Sequence, residues 1–346
     1  MNYRKKINEI YEHLVDEESK KIFDARINYM VNKCENKFKQ CVYKKDDVWR
    51  CRKVEYALKE YSLDEIIIYG SGNYGRKCKE ALELCNYKVS YFLDGDVQKQ
   101  GKMVEGVKVI APIELLKHEN SVVIVASVKF REEMLGFLVE NNIDEKRIVV
   151  PIEGYLLAVR GQQYFDVFLP EDDEVFIDVG TFDGATTIDF IKWTGERYKK
   201  IYMLEPLKNM YEHLSNSDFG KKDNIEIYNN AAWNKKETLN FNEKSTSSRI
   251  VSNGTACVNG IEIDEIIKEE KVTFIKMDIE GSELKALEGA RKTIEVNTPK
   301  LAISIYHKLG DVLEIAAYLL EIVPEYKFCI RHYSSGLDET VLYAYI

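Results

Sequence analysis

From Asp64 to about Pro151, short apolar runs alternate with amphipathic stretches. "EIIIYG", "KVSYFLD", "KVIAP", "SVVIVAS" and "RIVVP" are too short for helices and rich in β-branched residues, so they read as strands. The intervening "RKCKEALELC", "IELLKHE" and "REEMLGFLVENN" carry apolar residues at helical spacing. Such alternation predicts a parallel sheet wrapped on both faces. A second series starts near Glu174 with "EVFIDVG", "KIYMLEP", "IEIYNNAA", "VTFIKMDIEG", "KLAISIYH", "YKFCIRHYS" and "TVLYAYI" as strands. "ATTIDFIKW", "NMYEHL", "SELKALEGARKTI" and "DVLEIAAYLLEI" read as the helices between them. The last two strands are separated by "SSGLDE", room only for a hairpin, so this sheet should end with an antiparallel strand.

Ahead of both series, Tyr3, Ile7, Ile10, Tyr11 and Leu14 recur at helical spacing, as do Ile22, Phe23, Ile27, Met30 and Val31. Asp16 stands between the two runs as a cap. The pattern predicts a helical segment over 1–60, a helical pair that covers the next domain or joins copies of the chain. The domains are then 1–60, a small α/β domain at 61–151, a linker at 152–173 marked by Gly154, Gly161 and Pro170, and a larger α/β domain at 174–346. A polar Ser/Asn/Gly-rich insertion follows the third strand of the larger domain. It would overhang the carboxyl ends of the strands, where open α/β sheets bind ligands, and its Ser247, Ser248 and Arg249 are either sugar contacts or a solvated loop.

At 346 residues with a formal charge of −9, the chain lacks the basic footprint of a nucleic-acid binder, and small molecules are the expected partners. No apolar run approaches the ~20 residues that span a bilayer, and the charged amino terminus has no signal-peptide core. The seven cysteines form no C-x-x-C, so reduced thiols in the cytoplasm are expected.

Two glycine loops compete for the chemistry. Gly70, Gly72 and Gly75 form a G-x-G-x-x-G after a strand, with Asp94 19 residues beyond Gly75 where a ribose-binding acid would stand. The second loop, "VFIDVGTFDGATTIDF", puts Asp178 at a strand end, then Gly180 and Gly184, with Asp183 just before the helix. Two anions would repel a diphosphate but suit an ammonium or sulfonium group. Glu205 in "MLEP" ends the next strand, placed for vicinal ribose hydroxyls. A ribose, a cationic end and no phosphate together describe S-adenosylmethionine. The alternative is that Asp178 ties its own loop together and Glu205 caps the following helix.

In "FIKMDIEGSELKALEGA", Lys276, Asp278 and Glu280 alternate onto one side of the fourth strand. They form an internal ion cluster or position substrate and cofactor; a third option is magnesium or calcium held by Asp278, Glu280 and Glu283, and no metal is the expectation carried forward. Three residues are candidates for a general base. His307, ending the fifth strand, is the first choice, with Glu280 and His332 as alternatives.

"IDVGTFDG", "MLEP", "IKMDIEGSE", "EGA" and "IRHYS…ETVLYAY" resemble the FkbM-type S-adenosylmethionine-dependent methyltransferases over roughly residues 162–346. The resemblance implies a class I methyltransferase fold with seven strands and an antiparallel final hairpin, so with the module at 61–151 the chain is expected to be α/β with two Rossmann-like domains. It implies O-methylation of a hydroxyl on a small molecule, sugar or glycan. Asp178, Gly180, Thr181, Asp183 and Gly184 would shape the cofactor loop. Glu205 and Pro206 would face the ribose, Asn230 and Ala231 the adenine, and Asp278 the methionine end, with His307, Glu280 and Asp278 as the catalytic set. The run "YFLDGDVQKQGKMVEGVKVIAP" resembles nucleotide-binding-like modules that precede some sugar-modifying enzymes. An enzyme working through Gly70–Gly75 on a nucleotide or nucleotide-sugar, and a non-catalytic binding protein, are the competing readings.

Overall fold

The computed structural model describes residues 3–42, 49–127, 129–151, 159–160, 162–242, 249–250, 256–267, 270–334 and 336–346. The apolar runs of the second series become the strands Glu174–Val179, Tyr198–Leu204, Ile225–Tyr228, Phe274–Met277, Lys300–Ser304, Lys327–His332 and Thr340–Tyr345, first to seventh in chain order. They form one sheet in the order 3-2-1-4-5-7-6. The first five run parallel, and the seventh is antiparallel to both its neighbours. Alternate side chains of the first strand serve two cores. Val175, Ile177 and Val179 join Met277 and Ile303 on one face; Phe176 joins Phe190, Phe274 and Tyr343 on the other. Phe176 and Phe190 stack with ring centroids 4.1 Å apart.

The amino-terminal helices Tyr3–His13, Glu17–Asn32 and Glu35–Val42 pack on this sheet, not on the domain next in sequence. Ile10, Leu14, Ile22, Phe23 and Phe38 are buried in the core that contains Phe328 and Ile330 of the sixth strand. The Val15 amide donates to the Phe328 carbonyl at 3.0 Å, covering an edge strand that would otherwise stand open. Asp16 caps the second helix by accepting from the Ser19 amide at 2.7 Å and pairs with Arg331 at 2.8 Å. Apolar periodicity marks these helices as amphipathic but not the surface they cover; the compact unit they join comprises 1–43, 162–333 and 337–346.

The second unit comprises 44–161 with 334–336. Helix Arg52–Glu60 falls within its range, so the segment 1–60 expected as one piece is divided between the units. The five expected strands are present, and a sixth, Met103–Val104, forms an antiparallel edge hairpin with Val107–Ile110. "IELLKHE", expected as an α-helix, forms the 3₁₀ helix Pro112–Lys117. Within the expected linker, Val159–Arg160 pairs with Trp49–Arg50.

"SELKALEGARKTI", expected as one helix, is two: Glu283–Glu288 and Arg291–Asn297. The break falls at Gly289, where a Cβ would lie 1.9 Å from the Trp233 carbonyl oxygen. The polar insertion contributes to a separate four-stranded sheet of Ala231–Ala232, Ala256–Ile261, Thr238–Asn242 and Arg249–Ile250. Ser247 and Ser248 lie outside the described residues. All seven cysteines are free thiols, and the Cys51 and Cys85 sulfurs are 3.0 Å apart.

Candidate active site

The first strand delivers Asp178 to a position fully shielded from solvent. Its partner in the ladder is Lys276 of the fourth strand, whose Nζ reaches Asp178 Oδ1 at 3.0 Å and the Gly180 carbonyl at 2.9 Å. Thr187 donates to the other carboxylate oxygen at 2.7 Å, and Thr181 Oγ1 donates to the Asp178 carbonyl. Both buried charges therefore neutralise each other, as low-dielectric surroundings require. Asp178 ties the glycine loop to the neighbouring strand, and its oxygens do not point to solvent. Asp183 is exposed and accepts from the Ala185 amide, the first of the helix Ala185–Trp193.

Gly180 holds φ +78°, and a Cβ there would lie 2.1 Å from the Asp278 carbonyl oxygen. The loop thus presses against the residue that follows the fourth strand, an approach only glycine permits. Gly184 abuts Phe219 and Leu214.

Glu205 is 3% exposed at the end of the second strand. Its Oε2 accepts from the Phe182 amide and its Oε1 from the Leu207 amide, both at 2.8 Å. Burial raises its pKa while these amides oppose the shift. Each oxygen bears a further lone pair for a hydroxyl donor. Asn229, which the sequence reading passed over, donates to the carbonyls of Glu205 and Pro206 at 3.0 Å and fixes the turn between them. Asn230 donates to the Asn259 carbonyl, and Ala231 is buried.

The carboxyl ends of the fourth and fifth strands assemble a second group of charges. Asp278 accepts from Tyr164 at 2.6 Å and from Tyr306 at 3.3 Å. The side chain of His307 is 7% exposed, with Nε2 3.4 Å from Asp278 Oδ1 and 3.7 Å from Glu280 Oε2, and Nδ1 2.8 Å from Glu283 Oε1. Burial opposes a charged imidazole, but Glu283, Asp278 and Glu280 outweigh it and lift His307 to about 10. Burial lifts Glu280 to about 7, with Asp278 and Glu283 adding to the rise and His307 resisting it. Glu339, buried at φ +61° and accepting from Gln163 and Tyr306, is pushed up to about 8, chiefly by burial and then by Asp278. His307, Glu280 and Asp278 thus meet in one place, and the surrounding acids favour the charged imidazole, which counts against His307 as the base.

Residues 178–328 match the family model described as the methyltransferase FkbM domain. The chain carries an FkbM methyltransferase domain. It is an S-adenosylmethionine-dependent methyltransferase. The crystal structure of methyltransferase FkbM from Methylobacillus flagellatus KT is 20% identical, covers 95% of this chain and 99% of its own, and superposes with a TM-score of 0.51. That likeness extends the shared fold across nearly the whole chain. Precorrin-6y C5,15-methyltransferase from Geobacter metallireducens GS-15 aligns over 51% of this chain and 82% of its own, with 14% identity and a TM-score of 0.32. UDP-D-quinovosamine 4-dehydrogenase from Vibrio fischeri aligns over 26% and 79%, with 18% identity and a TM-score of 0.22. Residues 62–149 match a second family model, C2185-like, N-terminal. No curated protein matches the chain.

Outside the FkbM domain, the G-x-G-x-x-G loop is drawn tight. A Cβ on Gly75 would lie 1.8 Å from the Gly70 carbonyl oxygen, whereas Gly72 faces open space. Asp94, the expected ribose acid, accepts from the Ser71 amide, the Ser71 hydroxyl, the Asp96 amide and Lys99. Its carboxylate closes the loop onto its own strand. At the end of the sixth strand, His332 is 3% exposed and hydrogen-bonds Thr340 at 2.8 Å, with its ring edge-on to Phe38. It belongs to the packing of the amino-terminal helices and not to the acidic cluster. The sequence reading missed Tyr164, Tyr306 and Glu339, which converge on Asp278 from three distant segments.

Proposed function

We propose that the FkbM domain transfers the methyl group of S-adenosylmethionine to a hydroxyl oxygen of a small molecule or sugar. The observation that carries this reading is the contact of Gly180 with the Asp278 carbonyl oxygen, which sets the glycine loop directly against the acidic cluster. A cofactor seated on the loop would have its ribose hydroxyls at Glu205 and its adenine beside Asn230 and Ala231. Its cationic end would lie toward Asp278, because the Asp178 carboxylate is already engaged by Lys276.

Methyl transfer is an in-line displacement in which the acceptor oxygen attacks the methyl carbon as the sulfur departs with the bonding electrons. Alignment and exclusion of water supply most of the acceleration. Glu280 is the cluster's more accessible carboxylate, with a 31% exposed side chain, and is placed to receive the hydroxyl proton. His307, enclosed between acids, would position Glu280 and Asp278. The acidic walls favour a neutral, hydroxyl-rich acceptor over an anionic one.

The test incubates the full chain with S-adenosylmethionine carrying an isotopically labelled methyl group and a panel of sugars and hydroxylated small molecules, with product identified by mass spectrometry. Label on oxygen supports the reading. Saturable cofactor binding with transfer only to nitrogen or carbon would overturn it.

A further inference from the structure

We propose that His307 Nε2 and Asp278 form a binding site for one divalent first-row metal ion, with Glu280 at its rim and Glu283 orienting the imidazole. One donor atom from each of Asp278, Glu283 and His307 lies within 4.8 Å of the others. Proximity of acids is common, and two further features set this group apart. Glu283 is fully buried and its Oε2 has no hydrogen-bond partner. His307 Nε2 completes no hydrogen bond, and its side chain is only 7% exposed. A buried ring nitrogen without a partner is costly, and one that faces the Asp278 and Glu280 carboxylates indicates a ligand between them.

The spacing fits an ion better than it fits direct contacts. His307 Nε2 lies 3.4 Å from Asp278 Oδ1 and 3.7 Å from Glu280 Oε2, long for hydrogen bonds. Tetrahedral ligands about 2.1 Å from a metal stand about 3.4 Å from one another. The other ring edge has the spacing of an orienting contact, Nδ1 to Glu283 Oε1 at 2.8 Å, the carboxylate–histidine–metal arrangement. Glu283 in turn accepts from the Ile279 amide at 2.9 Å. Asp278 is held from behind by Tyr164 and Tyr306. One imidazole with carboxylates favours Mn²⁺ or Zn²⁺ over Ca²⁺, which takes oxygen ligands alone. Such an ion beside the methyl donor would bind the acceptor oxygen and lower its pKa. The site stands on geometry and does not depend on the acceptor class.

The test uses the full chain stripped with a chelator. Titration with Mn²⁺, read from loss of the free-ion electron paramagnetic resonance signal, should give one bound ion per chain. Zn²⁺ should displace it. His307→Ala and Asp278→Asn should abolish binding, and Glu283→Gln should weaken it by about 10- to 100-fold. Because variants in a packed cluster can unfold, the wild-type chain supplies a second readout. Substoichiometric Mn²⁺ should broaden the imidazole signals of one of the five histidines before the rest. Failure of the wild type to bind Mn²⁺ or Zn²⁺ would overturn the proposal, as would uniform broadening or undiminished affinity in folded His307→Ala. Calorimetry with S-adenosylmethionine on the same stripped protein separates this failure from failure of the methyltransferase reading.

Discussion

Replacing Gly180 with alanine tests whether the cofactor loop depends on its approach to the fourth strand. The added Cβ would sit 2.1 Å from the Asp278 carbonyl oxygen and 2.8 Å from Ile279 Cγ2, and φ there is +78°. A left-handed non-glycine residue costs about 1–3 kcal/mol, and forcing backbone apart in a packed core adds roughly 1–3 kcal/mol. The least of these sums, about 2 kcal/mol, corresponds to a roughly thirtyfold change in an equilibrium. Two compact units make a single unfolding transition an unsafe measure, so the readout is amide hydrogen exchange in the strand Phe274–Met277, with calorimetry for cofactor affinity. Exchange there should accelerate by about thirtyfold or more, and S-adenosylmethionine binding should weaken by a similar factor or be lost. Gly72→Ala is the matched control in the other glycine loop. Its Cβ meets nothing within 4 Å, so both readings should stay at wild-type values. Wild-type exchange and affinity in Gly180→Ala, or loss of affinity in Gly72→Ala, would refute the assignment of the cofactor to the downstream loop.

Glu205→Ala removes an acceptor worth about 1.5–3 kcal/mol per hydrogen bond to a charged group, so cofactor affinity should drop by at least about tenfold; unchanged calorimetry would exclude the ribose role. Lys276→Ala strands the Asp178 carboxylate in a dry core and should destabilise this unit by about 3–5 kcal/mol, read as faster exchange in Glu174–Val179; a loss below about 1 kcal/mol would contradict the buried pair. Asp16 should confer acid sensitivity on the amino-terminal helices. Partial burial opposes its ionisation, but the hydrogen bond from Arg331 and those from Ser19 prevail and lower it from 3.8 to about 2. Its contribution is complete above 3.8 and is lost as pH falls through about 2. Exchange in Glu17–Asn32 should therefore quicken across that window in the wild type, and Asp16→Asn should remove the dependence.

The two α/β series, their strand registers on apolar runs and the closing hairpin were all legible because burial on both faces demands near-continuous apolar strands. The site was legible in part, and for a specific reason. Asp178, Gly180, Glu205, Asp278 and Glu280 lie at strand ends or just beyond them, where sequence position maps directly onto place in the sheet. His307 was legible by the same rule. Tyr164, which lies ahead of the first strand, and Glu339, at the head of the last, were not, since no periodicity connects them to Asp278.

Local pattern thus determined which segments are strands and helices, the parallel class of both sheets, and which acids end beside a glycine loop. Tertiary structure alone decided that the amino-terminal helices cover the sixth strand of the larger sheet, because amphipathicity specifies a face and not its partner. It also decided the roles of the charges. Asp178 is neutralised by a lysine 98 residues away, Asp94 is consumed by the glycine loop at Ser71, and His307 is ringed by acids that follow the fourth strand. A side chain's charge is written in the sequence, but whether that charge is spent internally or offered to a ligand depends on the neighbours that folding brings to it.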